Sequence, residues 1–323
     1  MSELWNFLSM VWYQLTFKPR PLPDDIRLEG QTAIVTGSNV GLGFEAAKEL
    51  ASHGLSRLIL AVRDPAKGEA AKAEIARAAP GCDIQVWSLD QESWDNMVAF
   101  SERVRKELDR VDIVLLNAGL KRLEFSRSPT GHEAHVQINH LGTALLSLLL
   151  VEPLRRTARQ TRKPGRMTIT ASSVAFWAPS SDVHAPKGGK GILAWLDDPA
   201  SFVPGDSRYC LSKLLDVLWT RALAPRLDPA EIILFHRVDP RAERFGKYLA
   251  WSSAEGAYHL TDAAVHHPDS HGAYLSEQRI RSVSKFVSSN QGKEVQQKLW
   301  DETIAVIREE CPKANIEEFI KST

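Results

Sequence analysis

One stretch near the amino terminus constrains this chain most. Thr32-Ala33-Ile34-Val35 is a short apolar run, and Thr36-Gly37-Ser38-Asn39-Val40-Gly41-Leu42-Gly43 follows it directly. Phe44, Ala47, Leu50 and Ala51 then recur at helical spacing. An apolar run without polar alternation reads as a strand buried on both faces of a parallel sheet. A strand, a glycine-rich turn and a helix in that order form a dinucleotide site. The glycines let the backbone approach a pyrophosphate, and the helix N-terminus offers free N–H groups. The backbone of Gly37, Ser38, Asn39, Gly41, Leu42 and Gly43 is the expected cradle. Without a ligand the same pattern is only a glycine turn.

The alternation continues. Leu58-Ile59-Leu60-Ala61-Val62 is a second apolar strand, ending at Arg63-Asp64. The residue there faces the adenosine ribose in such folds. An acid would suit a free 2′-hydroxyl, whereas Arg63 suits a 2′-phosphate, with Lys67 close behind. NADP(H) is therefore the expected cofactor. Read blandly, Arg63 is a charged surface residue in a turn. Further strands are expected at 84–89, 111–116, 167–171, 231–236 and 272–275. Helices fall between them, one of them an apolar helix over 132–151. This is the pattern of a single doubly wound parallel sheet, a Rossmann-like α/β fold.

Tyr209 and Lys213 are one helical turn apart in Tyr209-Cys210-Leu211-Ser212-Lys213. A phenol ionises near pH 10, too high to exchange protons readily near neutrality. A fixed ammonium beside it favours the phenolate and lowers that value. Tyr209 could then pass a proton to or from a carbonyl or alcohol oxygen. Alone, the spacing equally describes an aromatic beside a solvated lysine.

Together these residues resemble the short-chain dehydrogenase/reductases, over roughly residues 29–300. Five blocks stand in the family's order: Thr36-Gly37-x3-Gly41-x-Gly43, Asp90, Asn117-Ala118-Gly119, Asn139, and a serine after the fifth strand followed by Tyr209-x3-Lys213. The resemblance implies that Asp90 bonds the adenine amino group and that Asn117, Ala118 and Gly119 let the cofactor approach the backbone. It implies that Asn139 orders a water leading to the lysine, and that Lys213 also holds the ribose. Ser173, with Ser172 as runner-up, would hold the substrate oxygen near Tyr209. Val238 and Pro240 would lie beside the nicotinamide. From the residues alone, Asp90 could be a helix cap, Asn139 a residue bonded within its own helix, and the serine pair a turn.

Two departures stand out. Ser173 and Tyr209 are 36 positions apart, and the insertion 174–208 carries Phe176, Trp177, Trp195 and Phe202. It is expected to wall the substrate site, and a similar long insert occurs in retinol-dehydrogenase-like and fungal members. After Pro240, Arg241 stands where the family usually has glycine, and a downstream threonine is missing. That implies an altered cofactor posture, an unusual substrate contact or reduced activity. The aromatic insertion and the lobe 241–270 imply a bulky apolar carbonyl or alcohol as substrate. The pattern is similar to oxidoreductases of fungal secondary metabolism, acting on polyketides or terpenoids. The alternative is a cofactor-binding protein of this fold with lost or non-redox activity.

The remaining features narrow the setting. The 323 residues suit one large α/β domain over 29–323, preceded by a helix and linker at 1–28. Lys plus Arg and Asp plus Glu both number 40, so bulk charge recruits neither nucleic acid nor an anionic membrane. Cys82, Cys210 and Cys311 are dispersed, which fits a reducing, cytoplasmic setting. No metal site is expected, and His266, His267 and His271 read as a loop. Leu4, Trp5, Leu8, Val11, Trp12 and Leu15 share a helical face over 4–17. That helix either packs on the body or makes a weak interfacial membrane contact. The apolar 144–151 stretch suits a core helix or the contact of a homodimer.

Overall fold

The computed structural model describes residues 16–239, 251–317 and 319. The helix expected over 4–17 lies almost wholly outside the described residues, as do Pro240, Arg241 and the start of the 241–270 lobe. Among the described residues, eight strands form one sheet in the order β3-β2-β1-β4-β5-β6-β7-β8. They are β1 (Thr32–Thr36), β2 (Arg57–Val62), β3 (Asp83–Ser88), β4 (Ile113–Leu116), β5 (Gly165–Ser172), β6 (Ile232–Asp239), β7 (Tyr274–Ser276) and β8 (Arg279–Arg281). The first seven pair in parallel, and β8 is antiparallel to β7. The short edge strand β8 follows a two-residue turn at Glu277 and Gln278, both with positive φ. Neither residue is a glycine, so the usual hairpin signal is missing from this turn.

The helices are α1 (Gly41–Ser52), α2 (Pro65–Ala78), α3 (Trp94–Glu107), α4 (Thr143–Leu149), α5 (Val151–Thr161), α6 (Ser181–His184), α7 (Ile192–Leu196), α8 (Ser207–Leu223), α9 (Ser253–Val265), α10 (Lys285–Ser288) and α11 (Asn290–Glu310). The two-residue period of β1 sends its apolar side chains to both faces. Ala33 and Val35 pack with Leu50 of α1, Ile75 of α2 and Leu260 of α9. Ile34 packs on the other side with Met97 and Phe100 of α3 and Leu145 of α4. Each of the larger side chains here, the Val, Leu, Ile, Met and Phe, contributes about 1.5–3 kcal/mol when fully buried. Both faces are covered, as a parallel sheet requires.

The expected single helix over 132–151 is interrupted. Val136–Gly142 form a π-helical turn that runs into α4. Its seven residues are all buried. Wide turns of this kind often mark functional sites.

The insertion differs from expectation. Trp195 of α7 is turned inward and packs with Leu193, Val295 and Leu299, so it joins the insertion to α11. It is core and not a wall of the site. Trp177 is 38 % exposed. The end of the insertion instead meets the loop after β4: Phe202 stands edge-on to Phe125, and Gly205 N–H donates to the Leu123 carbonyl at 3.0 Å.

At the described start of the chain, Phe17 stacks on His259 and meets Trp251 edge-on, so this segment runs against α9. No helix among the described residues is long and apolar enough to cross a membrane. His266 and His267 lie in the loop that follows α9. Both bond Asp262 near the end of α9, at 3.0 and 2.8 Å, although no metal-binding group is found among the described residues.

Candidate active site

The strand order doubles back between β1 and β4, and a crevice opens at their carboxyl ends, where open α/β sheets bind ligands. A cavity of about 640 Å³ occupies it. Gly37, Asn39, Gly41, Leu42, Arg63, Asp90, Asn117, Ala118, Gly119, Tyr209 and Lys213 all line this one space. Residues up to 176 positions apart in sequence, Gly37 and Lys213, are thus brought together.

The glycine turn is tight. Gly37 has φ of +65°, and a Cβ there would sit 2.9 Å from Ala118 Cα. A Cβ on Gly43 would sit 2.5 Å from the Gly37 carbonyl oxygen. Both positions therefore exclude side chains on steric grounds. Val40, the residue before α1, gives no side-chain cap, and the first turn of α1 holds no acid. Its N–H groups are left for an anion.

Thr36 was outside the expected site and organises it. Its hydroxyl accepts from the N–H groups of both Asn117 and Ala118 at 2.9 Å. Asn117 Nδ2 donates back to the Thr36 carbonyl at 3.2 Å. The first and fourth strand ends are thereby locked together. A threonine directly before the first glycine was the available signal.

Arg63 lies at the mouth, its side chain 64 % exposed, and Nη1 pairs with Glu92 Oε2 at 3.0 Å. Asp90 does not cap α3; Ser93 does, accepting from Asn96 N–H. Asp90 Oδ1 accepts from Glu92 N–H at 2.9 Å and so shapes the same turn.

Asn139 sits within the π-helical turn, and its amide is fully engaged. Oδ1 accepts from Leu120 N–H at 2.8 Å, and Nδ2 donates to the Leu120 carbonyl at 3.0 Å and to Ser212 Oγ at 2.8 Å. The residue is therefore not bonded within its own helix. It clamps the loop after β4 to α8. The following residues, Lys121 and Arg122, also line the cavity. Lys121 Nζ lies 5.7 Å from the Tyr209 ring centroid and pairs with Asp206 at 3.2 Å.

Behind Tyr209, His135 meets the ring edge-on at 6.5 Å. Its Nε2 accepts from Arg122 N–H at 3.0 Å, so the proton sits on Nδ1, which donates to the buried Glu133 at 2.8 Å. Lys213 Nζ donates to the Thr170 carbonyl at 2.7 Å and to Asp216 Oδ2 at 3.0 Å. Asp216 was missed in the sequence, although it stands three positions after Lys213 on one helix face.

Ser172 ends β5 in extended backbone, and Ser173 opens the turn that packs against α8. Ser173 Oγ is buried with no hydrogen-bond partner. Val238 pairs with Ala171 in the β5–β6 register. Pro240 lies outside the described residues.

Residues 31–182 match the family described as short chain dehydrogenase. The short chain dehydrogenase sol3 of Alternaria solani is 53 % identical over 279 residues, covering 83 % of this chain and 96 % of that protein. The short chain dehydrogenase/reductase mfmJ of Annulohypoxylon moriforme is 35 % identical over 331 residues, covering 96 % and 92 %. The short chain dehydrogenase yanD of Aspergillus niger is 36 % identical over 315 residues, covering 89 % and 94 %. The chain belongs to the short-chain dehydrogenase family. The crystal structure of a short chain dehydrogenase from Shigella flexneri shares the fold, with a TM-score of 0.56 at 20 % identity over 83 % of this chain and 98 % of that one.

Short-chain dehydrogenases are oxidoreductases that work with a nicotinamide cofactor, and the residues here fit one. Ser38 Oγ, in the glycine turn, is buried without a hydrogen-bond partner, as is Ser173 Oγ just after β5, although neither serine is among the residues that line the cavity. Buried hydroxyls in that condition suit a polar ligand. The bare glycine turn and the uncapped α1 suit its phosphates.

Proposed function

We propose that this short-chain dehydrogenase uses NADP(H) to interconvert a bulky apolar carbonyl compound and its alcohol, in fungal secondary metabolism of polyketide or terpenoid type. The observation that carries the reading is the shared cavity: Tyr209 and Lys213 face the same space as the glycine turn and Asn117-Ala118-Gly119. When bound, the nicotinamide supplies or accepts the hydride at the substrate carbon. Tyr209 gives its phenolic proton to the carbonyl oxygen in reduction and takes it back in oxidation. Lys213, held by Thr170 and Asp216, stabilises the phenolate and bonds the ribose. Ser173 directs its free hydroxyl to the substrate oxygen. Asn139 fixes the loop that borders the reaction space.

Arg63 supports the choice of NADP(H). An exposed guanidinium at the end of β2 can turn from Glu92 to a 2′-phosphate. The apolar substrate is supported by Leu123 and Val203, 57 % and 60 % exposed, on the two tied loops beside Lys121 and Asp206. The fungal relatives support the metabolic setting. The three cysteines are free thiols, in keeping with the cytoplasm. The alternative of a binding protein without redox turnover rests on Arg241 and the missing downstream threonine, and Arg241 lies outside the described residues.

The test is NADPH consumption with a panel of bulky and small ketones. Tyr209→Phe should lower turnover by about 10²–10⁴-fold while NADPH affinity stays near wild type. Activity within a few-fold of wild type would remove Tyr209 as the proton donor.

A further inference from the structure

Lys213 is held from behind by a buried chain of polar groups. Its Nζ lies 3.0 Å from Asp216 Oδ2, with the two side chains 6 % and 1 % exposed. The other carboxylate oxygen, Asp216 Oδ1, is buried with no hydrogen-bond partner. It faces His140 Nδ1, 4.0 Å away on the π-helical turn, and that nitrogen is also buried without a hydrogen-bond partner. The other ring nitrogen, His140 Nε2, lies 2.9 Å from Thr303 Oγ1 of α11. The His140 ring stands edge-on to Trp219 at 6.1 Å.

This arrangement is a poor source of stability. A buried ion pair seldom outperforms well-packed apolar residues, and an unsatisfied buried oxygen is costly. Its place directly behind Lys213 points to another role.

We propose that Asp216 is a positioning residue for proton transfer. It holds the Lys213 ammonium against the Thr170 carbonyl and offsets part of the positive field that Lys213 casts on Tyr209. The proposal rests on the roles given above to Tyr209 and Lys213. An ammonium alone would favour the phenolate; a carboxylate just behind it opposes that effect.

The groups that meet Asp216 are few. Lys213 comes from its own helix and His140 from the π-helical turn. One step further out, the Thr170 carbonyl of β5 bonds Lys213 and the Thr303 hydroxyl of α11 bonds His140. Burial holds the His140 imidazole down at about 3, so it is neutral in the working range. Burial pushes the Asp216 carboxyl up to about 7, against the charge and hydrogen bond of Lys213. Below that pH the protonated carboxyl leaves the charge of Lys213 undivided. Above it the pair is close to neutral.

The tyrosinate absorbance of the cofactor-free protein reads this directly. Wild type, Asp216→Asn and Asp216→Ser are each titrated, and the same protein carrying Tyr209→Phe is subtracted to isolate one phenol. Both neutral variants should lower the Tyr209 midpoint by about one pH unit, a tenfold gain in its ionisation constant. The alkaline limb of the kcat profile should move the same way. The serine variant decides the matter should the asparagine one fail to fold. A purely structural role predicts lower stability and lower turnover at every pH with an unmoved midpoint, and that result would overturn the proposal. Turnover by Tyr209→Phe would instead overturn the oxidoreductase reading, so the two failures are distinct.

Discussion

Asn139 grips Leu120 at both ends of its peptide: Oδ1 accepts from the N–H at 2.8 Å and Nδ2 donates to the carbonyl at 3.0 Å. A third bond, to Ser212 Oγ, ties that peptide to the helix that carries Tyr209 and Lys213. One amide thus sets the distance between the loop after β4 and α8.

Asn139→Ala should leave the Leu120 N–H and carbonyl without these partners. Leu120 is only part-buried, so urea unfolding should register a loss nearer the roughly 1 kcal/mol of an ordinary hydrogen bond than a full buried-group penalty. Turnover should fall more than NADPH affinity, because the glycine turn is untouched. Equal losses in both would show that the clamp supports the whole crevice and not the reaction end.

Arg63→Asp should reverse the cofactor preference. The change removes a cation at the end of β2 and sets an acid beside Glu92. The ratio of kcat/KM for NADPH to that for NADH should drop at least tenfold, on the order of one charge-assisted hydrogen bond. An unchanged ratio would show that Arg63 does not read the 2′-phosphate.

Trp195→Ala should be a stability variant. The indole is buried against Val295 and Leu299 of α11, and removing a buried tryptophan costs about 3–5 kcal/mol. Denaturant midpoints should fall sharply, while KM for bulky and small substrates shifts alike. A selective rise in KM for the bulky substrate would return this residue to the substrate wall.

His132 should make stability depend on pH. Its ring sits between Asp197 at 2.6 Å and Glu310 at 3.0 Å. Burial alone would lower its pKa, but the hydrogen bonds and charges of the two acids outweigh it, and the net shift is upward from 6.5. A raised folded-state pKa adds stability that is fully present below the unfolded value and lost as pH rises through the folded one. The Tm difference between wild type and His132→Gln should therefore be largest below the unfolded value of about 6.5 and shrink as pH rises through the raised folded value. A difference that grows with pH would contradict the ion-pair assignment.

Much of this molecule could be read from local sequence. Apolar runs without alternation specify buried parallel strands. Gly37 and Gly43 specify a turn that only glycine can make, and the spacing of Tyr209 and Lys213 places both on one face of α8. These follow from short-range sterics and periodicity, which a few neighbouring residues fix. Other features depended on contacts between distant segments. Trp195 has the composition of a substrate wall, yet it is core, because α11, about a hundred residues later in the chain, supplies the surface that buries it. Asn139 resembles a helix residue bonded within its own helix until the π-helical turn aims its amide at Leu120. Asp216 is one acid among many on paper. Only the packing of α8 against the π-helical turn and α11 buries it beside Lys213 and makes its charge matter. Sequence determines what a segment can form; burial and partner, which set the energy of a polar group, are properties of the assembled fold.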